Sequence, residues 1–219
     1  MPLAMPSLPS ILPIAGLLAL LAAPLAANAA EEDRSQVGSV AKVENQASIV
    51  ASSAAKPAMV GAAVHMKDEL RTGANGRMQV TFLDDTELTL GENANVVIDR
   101  YVYDPDKGNG EAMLQTTKGA FRFAAGRIKE LKENTILIIT TAFADIAVRG
   151  TAFWAGPIDG KYGVLLLQGE VAVSNQAGSV TLSKAGEGTN IASPLDAPGA
   201  PSIWPEAKAA RALEAVTLH

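Results

Sequence analysis

A short acidic stretch is the first candidate for chemistry in this chain. Asp84, Asp85 and Glu87 lie close together, and paired carboxylates are groups that general acid–base catalysis commonly uses. They also lie between two apolar, alternating segments, where acidic residues are common because their side chains stabilise turns. We favour the structural interpretation, and predict a turn motif of Asp84, Asp85 and Thr86 without a catalytic role.

A second group of oxygen-bearing residues has part of the composition of a calcium-binding loop. Asp104 and Asp106 are followed by Gly108 and Gly110. The calcium template requires a bidentate glutamate at its twelfth position, and that position, counted from Asp104, holds Gln115. A polar loop between strands is the favoured interpretation, with weak calcium binding at Asp104 and Asp106 left open.

Composition restricts metal and nucleophile chemistry. The chain has no cysteine and two histidines, of which His219 ends the chain and His65 is internal. One internal histidine cannot form a histidine-rich zinc site and has no cysteine partner. No Gly-x-Ser-x-Gly element supplies a serine nucleophile for it. We therefore expect no catalytic, cofactor-binding or metal-binding residues, and His65 is interpreted as a structural or surface residue.

The best candidate for binding is Arg149, Gly150 and Thr151, with Trp154 just after it. Gly150 interrupts a strand pattern, which predicts a bend or bulge that could present Arg149 to an acidic ligand or partner. We favour the alternative that Arg149 pairs with an acidic residue of the same chain. Trp154 continues the alternating pattern and is predicted to be buried or half-buried; an exposed Trp would indicate an interaction hot spot.

Many short strands are predicted to position these candidates. Apolar and polar residues alternate in 78–82 and 88–90, as in half-buried strands. The continuous apolar runs 136–139 and 164–167 suit strands buried on both faces. Segments rich in Gly, Asn, Asp and Pro separate the strands. We predict an all-β fold, either β-solenoid-like or a β-sandwich of many short strands, with the solenoid slightly preferred.

A short C-terminal helix is predicted after this β region. Residues 193–205 contain four prolines and are predicted to form an extended, Pro-rich linker. The helix is predicted over 206–217, because Pro205 and Glu206 suit a helix N-terminus. Its apolar residues share one face, which we expect to dock on the chain's own domain more readily than on a partner.

The N-terminal residues 1–29 have the pattern of a secretory signal peptide. An apolar run from Ile11 to Leu25 is followed by an Ala-Asn-Ala triplet, which predicts cleavage near Ala29 or Ala30. The run is short and contains two prolines, so it is a poor membrane span. No Lys or Arg precedes the run, and an uncleaved anchor is the alternative. We expect a periplasmic or secreted product with no membrane span after cleavage.

Two pairs of segments resemble the FecR domain, an all-β module of bacterial envelope proteins. Asp68–Gly73 and Phe82–Leu90 are similar to the family patterns Gly-Asp-x-Ile-x-Thr-Gly and Phe-x-Asp-Gly-Ser-x-Leu-x-Leu. Val148–Phe153 resembles the Arg-Gly-Thr-x-Phe element, and Gln168–Val173 resembles the Gly-x-Val-x-Val strand. The resemblance covers residues 37–191.

One position departs from the family pattern. Asp85 stands where the family usually has glycine, so the turn is altered there. Aspartate tolerates a positive φ better than most residues do, and we expect the turn to survive the change.

The resemblance implies association with another protein more than a reaction. The best-known members are iron-uptake regulators with a cytoplasmic anti-sigma segment, one transmembrane helix, this periplasmic domain and a C-terminal signalling domain. Here we expect a signal peptide and the β module alone, so direct control of a sigma factor is not expected. The net charge of -5 and the lack of a basic run disfavour nucleic-acid binding.

We therefore expect an exported, non-catalytic module that senses a signal or interacts through an unknown envelope protein. The alternative is a structural or surface-associated β protein that binds envelope glycan or assists an exported adhesin. Exposed aromatic clusters would favour glycan, and a flat patch of helix and strand edge would favour a protein partner. The sequence names neither the ligand, the partner nor the oligomeric state.

Overall fold

Strands dominate the computed structural model, which describes Met1, residues 35–131 and residues 134–219. Apart from Met1, the predicted signal peptide and its cleavage site lie outside the described residues. The strands in the described ranges are β1 Gln36–Glu44, β2 Ala47–Ala51, β3 Ala54–Pro57, β4 Ala63–His65, β5 Glu69–Thr72, β6 Arg77–Phe82, β7 Glu87–Leu90, β8 Asn95–Asp104, β9 Asn109–Lys118, β10 Phe121–Ala124, β11 Asn134–Thr141, β12 Asp145–Ile158, β13 Lys161–Asn175, β14 Gly178–Leu182, β15 Glu187–Ile191 and β16 Ser202–Ile203. A 3₁₀ turn covers Arg127–Glu130, and helix α1 covers Glu206–Glu214.

These strands form one hydrogen-bonded sheet that curls into a half-barrel. The strand order is β3-β2-β5-β8-β9-β11-β12-β10-β7-β6-β1-β4, and β13 to β16 extend the sheet from β12. Among the described strands, β9 and β11 pair in parallel, and the other pairs are antiparallel. The predicted all-β fold of many short strands with a short C-terminal helix is confirmed.

One face of the sheet packs into the main core. In β6, Met78, Val80 and Phe82 are buried while the residues between them are half-buried, as the alternation predicts. Phe123 lies directly across from Phe153 on β12, and the two ring centroids are 5.9 Å apart. Each fully buried side chain of this size stabilises the fold by about 2 kcal/mol relative to exposure.

The two continuous apolar runs differ from each other in burial. In β13, Val164 and Leu166 face the main core and Leu165 packs on the opposite face, so this run is buried on both faces as predicted. In β11 the prediction is wrong for Ile136, which is exposed. Among the described residues, β11 is therefore left open to solvent at Ile136.

The opposite face of β12 and β13 carries a second, smaller apolar cluster. Trp154, Ile158 and Leu165 pack there against Trp204 and the buried face of α1. The C-terminal helix therefore docks on its own domain, which the sequence left open. A sheet that is apolar on both faces needs such a cover, because uncovered apolar surface is costly in water.

The segment predicted as an extended, Pro-rich linker takes part in this docking. Within residues 193–205, strand β16 pairs with β15 and Trp204 is buried. Helix α1 also ends at Glu214, three residues before its predicted end at residue 217. The chain after Glu214 continues in tighter turns, in which the N–H of Val216 donates to the carbonyl of Leu213 at 3.1 Å.

We predict that deletion of Trp204–His219 destabilises the protein without abolishing its strands. The deletion uncovers Trp154 and Leu165 but removes no residue of the main core. We expect a fall in the melting temperature of roughly 10 °C, a red shift of the Trp154 emission and unchanged far-UV circular dichroism of the strands. Deletion of Leu218 and His219 alone is the control and is expected to change none of these. Complete loss of strand signal would contradict the separation of the two clusters.

Candidate functional site

The carboxylate of Asp84 is fully buried in the turn between β6 and β7. Its Oδ1 accepts hydrogen bonds from the Tyr101 hydroxyl at 2.7 Å and from the N–H of Thr86 at 3.1 Å. Its Oδ2 accepts from the Thr86 hydroxyl at 2.6 Å and from the N–H of Ile128 at 3.0 Å. These bonds join the turn to β8 and to the 3₁₀ turn. A carboxylate this deeply buried is costly unless donors surround it, and here they do.

The hydrogen-bonding groups around Asp84 have further partners of their own. Burial and the hydrogen bond to Asp84 raise the pKa of Tyr101 well above its usual range, so the phenol keeps the proton it donates. The hydroxyl of Thr86 accepts from the N–H of Gly126 at 2.9 Å. The carbonyl of Asp84 accepts from the N–H of Arg127 at 2.7 Å. Proton transfer by Asp84 would require this network to open.

Asp85 points away from Asp84, so the two carboxylates do not form a pair. Its φ is 66°, which is the left-handed conformation that a glycine adopts without strain. Its exposed carboxylate forms an ion pair with Arg127, whose Nε lies 2.9 Å from Oδ2. The guanidinium of Arg127 also donates to the carbonyl of Leu83 at 3.0 Å. Thr86 completes the predicted turn motif through its bonds to Asp84.

The earlier motif, Asp68 to Gly73, serves a similar structural role. The buried hydroxyl of Thr72 donates to the carbonyl of Gly91 at 2.6 Å and accepts from the N–H of Ala94 at 2.8 Å. Asp68 is buried, and its Oδ2 accepts from the N–H of His65 at 2.8 Å. His65 is thus a neighbour of Asp68 at a strand end, with its Nδ1 3.5 Å from the same oxygen.

Arg149, Gly150 and Thr151 form a bulge in the pairing of β12 with β13. Gly150 has a φ of 60°, and the register shifts between Arg149 and Ala152. Nη1 of Arg149 lies 3.8 Å from Oε1 of Glu170 on the neighbouring strand, so Arg149 pairs with an acidic residue of its own chain. The Thr151 hydroxyl donates to the carbonyl of Gln168, and its own carbonyl accepts from Ala125 at 3.0 Å.

The loop with calcium-like composition is held by a lysine. The N–H of Lys107 donates to Oδ1 of Asp104 at 3.1 Å, and its Nζ lies 3.1 Å from Oδ2. The hydrogen bonds from Lys107 lower the pKa of Asp104. A calcium ion would have to displace this lysine from both oxygens. Within residues 35–131 and 134–219, no group of three or more His, Asp or Glu side chains is placed to hold a metal ion.

Residues 68–172 match a family model described as FecR protein. The chain carries a FecR domain. The match begins at Asp68 and includes the Asp84 turn, the Arg149–Thr151 bulge and Trp154, whereas His65 lies just before it.

Two crystal structures are partly similar to the chain, and both are of a candidate anti-sigma factor from Parabacteroides distasonis ATCC 8503. The structure at 2.50 Å resolution is 21% identical with a TM-score of 0.46 and covers 56% of this chain and 53% of its own. The structure at 1.65 Å is 22% identical with a TM-score of 0.43 and the same coverage. The chain thus spans about half the length of these structures. A search of curated proteins found no match.

The polar motif residues of the FecR domain act inside the fold. Asp84, Thr86, Thr72 and Thr151 are buried and hydrogen-bonded to backbone or side-chain groups of distant segments. Trp154 is fully buried, so the hot-spot interpretation that required exposure does not apply. No helix in the described parts of the chain is long and apolar enough to cross a membrane.

Sequence reasoning missed the partners of the Asp84 turn. Tyr101 lies 17 positions and Ile128 lies 44 positions further along the chain, and neither belongs to a recognisable motif. The available signal was the acidic side chain itself, since an aspartate between two buried strands needs donors from somewhere.

We predict that Asp84→Ala lowers the free energy of unfolding by about 3 kcal/mol. The substitution leaves the Tyr101 hydroxyl and the Ile128 N–H buried without their acceptor. Urea unfolding of the purified protein measures the change. Asp85→Gly is the matched control and is expected to stay within about 0.5 kcal/mol of the wild type, since its ion pair is exposed and its φ suits glycine. Equal losses in the two variants would show that the buried carboxylate is not the cause.

We predict that Gly150→Val lowers the free energy of unfolding by about 1–3 kcal/mol. A Cβ at this position meets only the Cβ of Lys129, at 3.9 Å, so the cost comes from the positive φ and not from a clash. Gly150→Asn is the control and should cost less, because asparagine adopts this conformation more readily. Thermal unfolding measures both; an unchanged melting temperature for Gly150→Val would refute the strained conformation.

Proposed function

We propose that this chain is an exported, non-catalytic module that senses a signal or recruits a partner by associating with another envelope protein. The match of residues 68–172 to FecR is the observation that carries the proposal. Members of that family act in signalling through protein contacts, as the sequence resemblance implied.

The internal use of the motif residues supports a non-catalytic role. Asp84 receives four hydrogen bonds, and Thr72 both donates and accepts one. A catalytic group must instead present its acid, base or nucleophile to a substrate. The motif residues therefore stabilise the fold, and we assign binding to the surface that the fold presents.

The burial of aromatic residues favours a protein partner over glycan. The glycan alternative called for exposed aromatic side chains along one face. Tyr103 and Phe143 are half-buried, and every other aromatic side chain is buried. The ring of Phe143 is stacked on Tyr162 with centroids 4.8 Å apart, so it is already used inside the fold.

Export and a periplasmic or secreted location are part of the proposal and rest on the pattern of residues 1–29. N-terminal sequencing of protein recovered from the envelope is expected to begin near Ala30. Recovery of an intact Met1 would refute cleavage.

Site-specific photo-cross-linking in the native envelope tests the association. A photoreactive residue is placed at each of four exposed apolar positions on different parts of the surface, and adducts are identified by mass spectrometry; the positions are Met59, Leu83, Leu195 and Ile203. We expect one discrete envelope protein to be captured from a subset of these positions. The buried position Ile146 is the control and should capture none.

Two outcomes would refute the proposal. One is the absence of a specific adduct from every exposed position. The other is a robust hydrolytic activity of the purified protein that is lost when Asp84 or His65 is replaced by a residue that keeps the protein folded.

A further inference from the structure

A groove on the second apolar face of the sheet is shaped for a tryptophan. We define the indole groove by Trp154, Gly163, Leu165 and Gly188 of β12, β13 and β15. A Cβ on Gly163 would lie 2.7 Å from Cη2 of Trp204, and one on Gly188 would lie 2.4 Å from its Cε2. Only glycine leaves room for the ring at these two positions. The Trp154 and Trp204 rings meet edge to face with centroids 6.1 Å apart.

The rim of the indole groove selects positive charge. Asp159, in the turn between β12 and β13, accepts a hydrogen bond from Nη2 of Arg211 at 2.6 Å. Its Oδ2 lies 3.5 Å from Nζ of Lys208. The same ammonium group lies 4.2 Å from the centre of the Trp204 ring, close enough for a cation–π contact. An aromatic anchor therefore fits the indole groove, and two basic residues on the helix that follows it reach Asp159 at the rim.

The segment that now fills the groove is separate from the main core. The buried residues of the main core end at Ile191, and residues 202–216 contribute to the second cluster instead. A stretch with three prolines, 192–201, joins the two. Departure of the segment from the groove would remove no buried residue of the main core.

The present occupant fits the groove incompletely. The indole N–H groups of Trp154 and Trp204 are buried and have no acceptor among the described residues. A buried donor without an acceptor is destabilising. Of these two residues, Trp154 belongs to the groove itself, and an occupant that offers an oxygen to its indole N–H would bind better than the chain's own segment does.

We propose that the indole groove is an exchangeable docking site for an amphipathic helix of a partner protein. That helix carries an aromatic anchor before its first turn and basic residues that reach Asp159. The chain's own residues 202–216 occupy the groove when the partner is absent. The assignment to an envelope protein rests on the proposed function, whereas the exchange itself does not.

Binding of a labelled peptide to the full-length chain tests the exchange. The probe is a synthetic peptide of residues 202–219 with a fluorophore at its N-terminus, followed by fluorescence anisotropy. The chain is used as wild type, as Trp204→Ala and as Lys208→Ala with Arg211→Ala. Both variants weaken the internal occupant, so each should bind the peptide at least about tenfold more tightly than the wild type, because the internal segment competes for the site.

Matched probes and chains establish where the peptide binds. A peptide with Trp204→Ala should bind at least about tenfold more weakly. Adding Asp159→Asn to the Trp204→Ala chain should weaken binding of the unmodified peptide, since its basic residues lose their acceptor. Circular dichroism reports whether each chain is folded; the double variant keeps both tryptophans in place and serves if Trp204→Ala disrupts the fold.

The results that overturn the proposal are specific. No binding to either weakened chain, or equal binding of the two peptides, would refute an exchangeable groove. A wild-type chain that forms dimers dissociated by the peptide would assign the groove to a second copy and refute a separate partner. Peptide binding without any envelope cross-link would retain the groove and refute the proposed function, while the reverse result would retain the function and refute the groove.

Discussion

The buried carboxylate of Asp84 is the constraint on which the FecR domain depends. It lies in a turn between two neighbouring strands, yet its donors come from β8 and from the 3₁₀ turn. Removing a carboxylate from water is tolerated only where such donors are fixed in place. The same bonds fix the donors in return, because each would be unsatisfied without the carboxylate. The Asp84 turn, β8 and the 3₁₀ turn therefore hold one another in position.

The long strands β12 and β13 contribute side chains to both apolar clusters. Phe153 and Leu166 contribute to the main core, while Trp154 and Leu165 face the other way and receive the C-terminal segment. The bulge at Gly150 separates the part of β12 that pairs with β11 from the part that pairs with β10. Alternating side chains of this one pair of strands thus belong to two apolar clusters, one on each face of the sheet.

The sequence predicted features that depend on local chemistry. Strand alternation, the bulge at Gly150, the tolerance of Asp85 for a glycine position and the helix start near Glu206 all follow from a few adjacent residues. It could not predict contacts set by distant segments. The bond between Asp84 and Tyr101, the exposure of Ile136 and the burial of Trp204 depend on which strands become neighbours. The linker prediction for 193–205 had the same weakness: prolines restrict a chain locally but do not say whether a groove lies beside it.

The strand order has a consequence for how the domain assembles. Strands β2, β5, β8 and β9 can form one half of the sheet, and β1, β6, β7 and β10 can form the other, each from segments of the N-terminal two thirds of the chain. Within the sheet, β11 and β12 join the halves, with β9 on one side and β10 on the other. The two strands that join the halves come later in the chain than all eight strands that they join. Continuity of the curved sheet between β9 and β10 therefore depends on residues 134–158, and a chain that ends before them would leave the edges of both strands without these neighbours.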